Sequence, residues 1–325
     1  MNPEDPVLGK HAPLLRRINE ELERALSSRV GLVEEMGGHT LLGGGKRFRP
    51  LVFILCCRMC GYQEEDSYRL STIFEYIHAA SLLHDDVLDN AEVRRKRPSA
   101  NNIWGNHAAV LEGDFLFTKA LSLAVSSGNL AFLKTLTDTT ARMTEGQILE
   151  LMRTNDWSTT REQYMEIITA KTATLISAAC VCAGLLAQVD EGALAVLERF
   201  GLDMGIAFQY MDDLLDYTSR QEIFGKPVGK DLREGKVTLP LINALETLDP
   251  RERERLAGLF GSGRASEEDY RTLTELVRER GALDQILREA ASFVNRAAAS
   301  LQRFPDSYHR RDLVELSRYI VERRY

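Results

Sequence analysis

The sequence contains few of the residues that break helices or favour strands. Its 325 residues include nine prolines, and aromatic residues make up 7% of the chain. No stretch alternates apolar and polar residues between hairpin turns, so strands have little support. No uninterrupted apolar run reaches the roughly 20 residues of a membrane-spanning helix. The polar segment 1–10, with two prolines, does not fit a signal peptide. We therefore expect a cytoplasmic helical protein without a transmembrane segment.

Strong positive charge and a complete cysteine framework are also missing. The net charge of −7 argues against general nucleic-acid binding. The five cysteines are an odd number, and Cys57 and Cys60 have the spacing of half a zinc site. No second Cys or His pair completes such a site. We interpret the cysteines as buried, reduced thiols that serve as small apolar residues.

Helical spacing of apolar residues runs along most of the chain. The 44% hydrophobic content can fill one large core, and no shift in composition marks a domain boundary. We predict one all-α domain over residues 1–325, with its helices packed around a central cavity. The predicted helices are 6–27, 50–60, 67–89, 99–126, 130–153, 160–187, 191–217, 236–246, 250–260, 267–280, 281–302 and 310–322.

An acidic cluster follows one of the apolar runs. Residues 82–90, LLHDDVLDN, carry three carboxylates in five positions. Asp85 and Asp89 are four residues apart, so on a helix they lie on one face and repel each other. Near a helix C-terminus they also oppose the helix dipole. Bound divalent cations would supply the missing positive charge, although acidic clusters also occur on solvated helix ends.

The same spacing returns downstream in residues 209–217, QYMDDLLDY. Asp212, Asp213 and Asp216 again occupy the first, second and fifth positions behind an apolar helical run. One copy alone is weak evidence for a metal site. Two copies, each embedded in apolar sequence, indicate a metal-dependent site much more strongly.

Two basic segments accompany the aspartates. Residues 43–50, GGGKRFRP, place three glycines and three cations just before a helix N-terminus, where phosphate binds readily. The P-loop pattern is absent, and a solvated basic turn is the alternative. Residues 94–97, RRKR, begin five positions beyond Asp89. Arginine forks match phosphate oxygens, although a surface run or a localisation signal has the same composition.

Together these motifs closely resemble those of the trans-isoprenyl diphosphate synthases, or polyprenyl synthetases, over about residues 43–240. The resemblance implies an all-α, single-domain bundle of the isoprenoid-synthase type around a deep central cavity. It also implies two facing aspartate motifs that hold magnesium, three ions in all, against a substrate diphosphate. Asp85, Asp89 and Asp212 would bind the metal, and Asp86, Asp213 and Asp216 would complete the acidic shell.

The resemblance further assigns the substrate contacts. Isopentenyl diphosphate would be bound by Lys46, Arg49, His78 and Arg95, and the allylic diphosphate by Arg94. Lys171 would be a diphosphate ligand with support from Thr172 and Gln209, and Lys226 and Lys236 would close over the allylic diphosphate.

Some of these residues have simpler interpretations. Glu75 and His78 match half of a di-iron site, but no other histidine has a glutamate three residues before it. A core histidine is therefore the default alternative. Lys171 could extend from its apolar helix to solvent, and Lys226 and Lys236 could lie on surface loops.

The implied reaction joins an allylic diphosphate, which we expect to be farnesyl diphosphate, to successive isopentenyl diphosphates. The metals, with Lys171, Lys226 and Arg94, would offset charge on the departing diphosphate. The allylic cation would alkylate the isopentenyl double bond, and the released diphosphate would take the proton. No protein nucleophile is required. The family expectation is a homodimer, with transient membrane contact as the product leaves.

Three rival functions fit less well. A terpene cyclase would usually carry an Asn/Asp-x-x-Ser/Thr-x-x-x-Glu pattern in place of Asp212–Asp216. A non-catalytic partner subunit tends to lose the aspartates or the basic loop, and this chain keeps both. A metal-storage bundle needs several carboxylate–histidine pairs, which the sequence does not supply.

Small residues before the first motif suggest a long product. Ala80 and Ser81 lie one turn upstream of Asp85, where short-chain members of the family often have Phe or Tyr. Ile77 and Phe74 lie deeper, Phe74 about 16 Å along the helix axis from Asp85. Phe132 is a candidate for the tunnel floor, although core packing explains it equally well. We predict an octaprenyl product for a quinone side chain, with a geranylgeranyl to heptaprenyl product as the alternative.

Overall fold

The computed structural model describes residues 6–218, 229–261, 264–279 and 281–322. Helices form nearly all of the regular structure in these residues, and the prediction of an all-α fold is confirmed. Two strands, β1 and β2, have two residues each and pair antiparallel. The elements in chain order are α1 (Pro6–Gly9), α2 (Ala12–Ala25), α3 (Gly31–Gly37), a π-turn (Gly38–Leu42), α4 (Phe48–Met59), α5 (Asp66–Leu88), β1 (Val93–Arg94), β2 (Arg97–Pro98), α6 (Ala100–Trp104), α7 (Asn106–Val125), α8 (Leu130–Met152), α9 (Arg161–Ile168), a second π-turn (Thr169–Ala173), α10 (Thr174–Leu186), α11 (Glu191–Thr218), α12 (Lys230–Arg233), α13 (Leu239–Leu245), α14 (Pro250–Gly261), α15 (Glu267–Glu279), α16 (Ala282–Ser300), a 3-10 turn (Leu301–Arg303) and α17 (Tyr308–Glu322).

Several predicted helices are divided in the structure. The predicted helix 6–27 splits into α1 and α2, where Pro13 lies in the first turn of α2 and lacks the N–H that a longer helix would need. The predicted helix 99–126 splits at Gly105, whose φ of 82° is open to glycine. The predicted helix 236–246 begins only at Leu239, with Pro240 in its first turn. Helices α3 and α12 were not predicted at all.

The chain forms two compact units, each assembled from separate stretches of sequence. Unit 1 contains Met1–Thr140, Leu175–Gly201 and Ser300–Leu316, and unit 2 contains Ala141–Thr174, Leu202–Ala299 and Ser317–Tyr325. The first aspartate motif belongs to unit 1 and the second to unit 2. A single domain over residues 1–325 stays a prediction.

Helix α5 runs through the core of unit 1, and much of its length is buried on every side. It packs against α2, α4 and α7, which explains why its sequence is apolar without a clear hydrophilic stripe. Cys56 and Cys57 on α4 and Cys180 and Cys182 on α10 are buried in this core, and Cys60, just after α4, is half-buried, with a pKa that burial raises to about 12. This environment supports the interpretation of inert, buried thiols.

One helical stretch, 161–186, is long and apolar enough to span a membrane by length and composition. The sequence analysis did not identify this stretch as a possible membrane span, because Lys171 interrupts its apolar run. Within its most apolar window, 72% is buried inside the protein. This burial is typical of the core helix of a globular protein.

The π-turn between α9 and α10 lies in unit 2, where two glycines allow its backbone to approach neighbouring helices. A Cβ added to Gly146 on α8 would lie 2.6 Å from the backbone nitrogen of Lys171. A Cβ added to Gly205 on α11 would lie 2.4 Å from the Cα of Ala173. Real side chains do not pack so closely, so both glycines are required by the contact with the turn that carries Lys171 and Thr172.

We predict that Gly205→Ala lowers stability by about 1–3 kcal/mol, because the new methyl group forces the backbone of Ala173 to move. Gly258→Ala is the matched control. Gly258 lies on exposed α14 with no atom within 4 Å of an added Cβ, so this change should be neutral or stabilising by up to about 1 kcal/mol. Urea unfolding measures both, and equal effects would contradict the packing argument.

Glu112 on α7 places a carboxyl group inside the core of unit 1. A Cβ added to Gly37 would lie 3.1 Å from Glu112 Oε1, and Glu112 is 2% exposed. Neither carboxyl oxygen accepts a hydrogen bond from the residues that the structure describes. Burial raises the pKa of Glu112 from 4.5 to about 7. The folded protein therefore keeps this proton at pH values where the unfolded chain has released it.

We predict that Glu112 makes the protein less stable as the pH rises from about 4.5 to 7, because unfolding releases a proton in this window. Glu112→Gln should exceed the wild type in unfolding free energy by up to about 3 kcal/mol at pH 8. The difference should vanish near pH 4.5. Glu145→Gln, at an exposed position on α8, controls for loss of negative charge. If both variants respond alike to pH, Glu112 is not the responsible group.

Candidate active site

The first aspartate motif occupies the last turn of α5. The helix ends at Leu88, and the backbone N–H of Asp89 donates to the carbonyl of Asp85 at 2.8 Å. Asn90 then takes a left-handed conformation with φ 48°, as expected for a residue that ends a helix. The predicted helix end is therefore correct to one residue. Asp85 and Asp89 are both half-buried at this terminus.

Asp86, the middle carboxylate, is held by the protein itself. It is 3% exposed, and the Nε and Nη2 atoms of Arg94 both donate to its Oδ1, Nε at 2.9 Å. The backbone carbonyl of Asp86 also accepts from the N–H of Ala91 at 2.8 Å. Arg94 was predicted to bind the allylic diphosphate. The structure places its guanidinium group directly beside the first motif, fixed by a charged bond to Asp86.

The basic run after this motif forms a hairpin that the sequence did not predict. Strands β1 and β2 are joined by Arg95 and Lys96, with φ values of 51° and 63°. Two-residue turns of this kind normally contain Asn or Gly, so neither residue signals one. The turn directs Arg94 and Arg95 to different partners. Arg94 donates to Asp86, whereas Arg95 Nη1 donates to the carbonyl of Gly44.

Residues 43–47, called the glycine loop from here on, pass close to the guanidinium groups of Arg47 and Arg95. Gly44 and Gly45 have φ values of 119° and 146°, which other residues rarely adopt. A Cβ on Gly45 would lie 2.9 Å from Arg47 Nη1 and 3.1 Å from Arg95 Nη1. Helix α4 begins at Phe48, two residues before the predicted start, so Arg49 lies in its first turn.

His78 lies in the same cluster of positive charge. Loss of hydration, together with the charges of Arg49, Arg95, Arg94 and Arg47, holds the pKa of His78 well below its ordinary range. The ring is therefore neutral near pH 7. The structure thus places His78 within reach of the charges of Arg49 and Arg95, and their binding of isopentenyl diphosphate stays a prediction. Arg94 and Arg95 also line a pocket of about 420 Å³, open solvent included, together with Asp86 and Gly43.

In the second motif, Asp213 on α11 is likewise held by the protein. It is 2% exposed, and it accepts hydrogen bonds from the Tyr164 hydroxyl at 2.6 Å and from Gln209 Nε2 at 2.7 Å. Burial raises its pKa to about 7. Thr172 in the π-turn donates to Gln209 Oε1 at 3.0 Å. Thr172 and Gln209, predicted to support a diphosphate, thus support the motif itself.

Asp216 receives two backbone hydrogen bonds. The N–H groups of Lys230 and Asp231 donate to its two carboxyl oxygens at 3.2 Å and 3.1 Å. Burial and the charges of Asp216 and Asp213 raise the pKa of Asp231 well above its ordinary range. Asp231 is therefore a further member of the acidic shell. The sequence gives no signal for it, since it lies fifteen positions beyond Asp216.

Two of the lysines predicted to bind diphosphate, Lys171 and Lys236, form ion pairs within the protein. Lys171 forms an ion pair with Glu150 at 2.5 Å, and Lys236 forms one with Glu234 at 2.8 Å. Both glutamates were missed, because neither belongs to a recognisable motif. Lys226 lies outside the described residues.

The donor chemistry of both motifs fits magnesium. Within the described ranges, no group of three or more His, Cys, Asp or Glu side chains could hold an ion alone. Magnesium usually binds through one or two carboxylates and completes its shell with water and substrate phosphates. Half-buried Asp85 and Asp89 in unit 1, and exposed Asp212 in unit 2, offer such oxygens.

Comparison with known proteins points in one direction. Residues 30–277 match the family model described as polyprenyl synthetase. The octaprenyl diphosphate synthase of Escherichia coli (strain K12) is 38% identical over 308 residues, covering 94% of each chain. An all-trans-nonaprenyl-diphosphate synthase (geranyl-diphosphate specific) of Rhodobacter capsulatus is 37% identical over 98% of this chain and 96% of its own.

A solved structure is similarly close. It is a polyprenyl synthase from Caulobacter crescentus CB15, complexed with calcium and isoprenyl diphosphate. The two chains are 37% identical and superpose with a TM-score of 0.92, covering 99% of this chain and 98% of that one.

Proposed function

The chain belongs to the polyprenyl synthetase family and is a trans-prenyltransferase, and we propose that it makes a long-chain all-trans polyprenyl diphosphate. It condenses an allylic diphosphate with successive isopentenyl diphosphates to an octaprenyl product for a quinone side chain. The observation that carries the proposal is the cluster of His78, Arg49, Arg95 and Arg94 beside the first aspartate motif. The octaprenyl synthase relative supports the length.

Isopentenyl diphosphate binds to the cationic cluster of unit 1. Arg49 and Arg95 supply charged donors around the diphosphate, and Lys46 precedes them on the glycine loop. Neutral His78 supplies a hydrogen bond without adding charge. The N-terminus of α4 adds the positive end of its helix dipole to this cluster, which favours a bound diphosphate.

We propose that the allylic diphosphate binds through magnesium, three ions in all, for which unit 1 offers Asp85 and Asp89 and unit 2 offers Asp212. Magnesium held by these carboxylates would supply positive charge that offsets the charge on the departing diphosphate. Arg94, Lys171, Lys226 and Lys236 add positive charge. Asp86 orients the first motif through its bond to Arg94. Asp213 orients the second motif through its bonds to Tyr164 and Gln209.

In the reaction the allylic C–O bond breaks and a C–C bond forms to the isopentenyl double bond. The departing diphosphate takes the proton that is then lost. The calcium and isoprenyl diphosphate in the C. crescentus relative support divalent-cation and diphosphate binding here. We propose farnesyl diphosphate as the primer. Geranyl diphosphate is the alternative, because the R. capsulatus relative is named for it.

We further propose a cytoplasmic homodimer that contacts the membrane only as its product leaves. Helix α7 is apolar but exposes Leu111 by 68%, Val125 by 62% and Val110 by 38%. A second copy of the chain would remove this surface from water. Sedimentation of the purified protein measures the oligomeric state.

The function is tested by incubating purified protein with isopentenyl diphosphate, farnesyl diphosphate and Mg²⁺, and sizing the products. Excess chelator should abolish turnover. Asp85→Ala and Asp212→Ala should each lower turnover by several orders of magnitude with an unchanged melting curve. Asp138→Ala, which removes a surface partner of Lys134, is the matched control and should remain active. Full activity in chelator would refute the metal assignment.

The residues along α5 support a long product. Ala80 and Ile77 are each 2% exposed, and Ser81 is engaged through its hydroxyl, which donates to the carbonyl of His78 at 2.8 Å. Deeper in unit 1, the rings of Phe74 and Phe132 have centroids 6.4 Å apart. Phe53 completes this aromatic cluster at 5.1 Å from Phe74 and 6.4 Å from Phe132. We propose the cluster as the floor that ends chain growth.

We predict that Ala80→Tyr blocks the path of the growing chain and shifts the products to farnesyl or geranylgeranyl length, while Mg²⁺ dependence remains. Phe132→Ala should lengthen the products by opening the floor. Phe200→Ala removes a ring of the same size at another fully buried position in unit 1 and should lower stability without changing product length. A wild type that already stops at geranylgeranyl length would contradict the tunnel argument.

A further inference from the structure

All three guanidinium nitrogens of Arg47 bond to the protein. Nη1 donates to Glu75 Oε1 at 2.7 Å, Nε donates to Asn19 Oδ1 at 2.8 Å, and Nη2 donates to the carbonyl of Leu41. Arg47 is 4% exposed. Three of the five N–H donors of this guanidinium group are thereby bonded to the protein, one from each nitrogen, and these bonds fix its orientation.

Glu75 is the buried counter-ion of this arginine. It lies on α5, is 4% exposed, and precedes His78 by one turn on the same helix. Its negative charge also attracts Arg95. A carboxylate is stable in such surroundings only when it is paired and hydrogen-bonded. Glu75 therefore connects the glycine loop to the helix that carries His78 and Asp85. This pairing gives Glu75 a role that needs no metal, although the spacing of Glu75 and His78 matches half of a di-iron site.

The backbone of the loop needs such an anchor. Arg47 has φ 51° and ψ 37° at the N-cap of α4, a left-handed conformation that is unfavourable for residues other than glycine. Gly44 and Gly45, just upstream, provide no side chains to restrain the chain. The bonds of the Arg47 side chain hold this conformation. They thereby fix the backbone on either side of Arg47, at Lys46 in the loop and at Arg49 in the first turn of α4.

We propose that Arg47 and Glu75 form a positioning pair for the isopentenyl diphosphate site. The pair does not touch the substrate. It fixes the loop so that the cations on either side of Arg47 meet the diphosphate with their donors already oriented. The proposal rests on the proposed function, because it assigns the loop to isopentenyl diphosphate and not to the allylic substrate.

Arg47→Gln and Glu75→Gln test the pair, with KM measured separately for the two substrates. Each variant should raise KM for isopentenyl diphosphate about tenfold or more, with KM for the allylic diphosphate nearly unchanged. The double variant should be no worse than the single ones, because both remove the same contact. Arg47→Lys keeps the charge but not the three-way geometry and should restore only part of the affinity.

Arg58→Gln is the matched control at the opposite end of α4. Arg58 donates to the Tyr68 hydroxyl at 2.6 Å, so its loss should lower the melting temperature without changing either KM. Should Arg47→Gln not fold, the near-isosteric Glu75→Gln carries the comparison. Equal rises in KM for both substrates, lower stability with unchanged KM, or additive effects in the double variant would overturn the pair. A wild type without prenyl transfer would overturn the proposed function, and this inference with it, whereas active wild type with unaffected variants refutes the pair alone.

Discussion

Like charges crowded at the end of a helix must be balanced where they lie, and the candidate active site depends on this constraint. Each aspartate motif assigns its middle carboxylate to a protein partner. Asp86 bonds to Arg94 in unit 1, and Asp213 bonds to Tyr164 and Gln209 in unit 2. These bonds lower the repulsion within each motif before any ligand arrives. One carboxylate of each motif is therefore held in place by the protein before a ligand binds.

In the cationic cluster of unit 1, positive charges are balanced by protein partners in the same way. Several cations converge around His78, and the ring responds by staying neutral. One cation, Arg47, is bound to buried Glu75, and a second, Arg94, to Asp86. Internal pairing thus leaves a limited excess of positive charge, which a substrate diphosphate can match. A cluster without these internal partners would repel itself and lose the ordered geometry that binding requires.

The sequence predicted those parts of the site that arise from periodicity and local charge. The end of α5 near Asp89 and the apolar helices around both motifs follow from spacing, whereas phosphate binding by residues 43–50 stays a prediction. The π-turn at Lys171 could not be predicted, because it arises from close packing against Gly146 and Gly205, which are distant in sequence. The partner of Arg47 was hidden for the same reason, since Glu75 lies 28 residues away. Pairings across such distances leave no local pattern.

The hairpin at Arg95 and Lys96 has a consequence for how this sequence can change over generations. Both residues take left-handed backbone conformations, yet of the two only Arg95 forms a side-chain hydrogen bond with a residue that the structure describes, to the carbonyl of Gly44. At position 96 the turn selects for conformation alone, so glycine or asparagine would be accepted easily and lysine is merely tolerated. At position 95 the bond to Gly44 rules out the residues that the turn would prefer. We therefore expect position 96 to accept small residues at little cost, whereas position 95 keeps arginine for its side-chain bond despite the cost to its backbone.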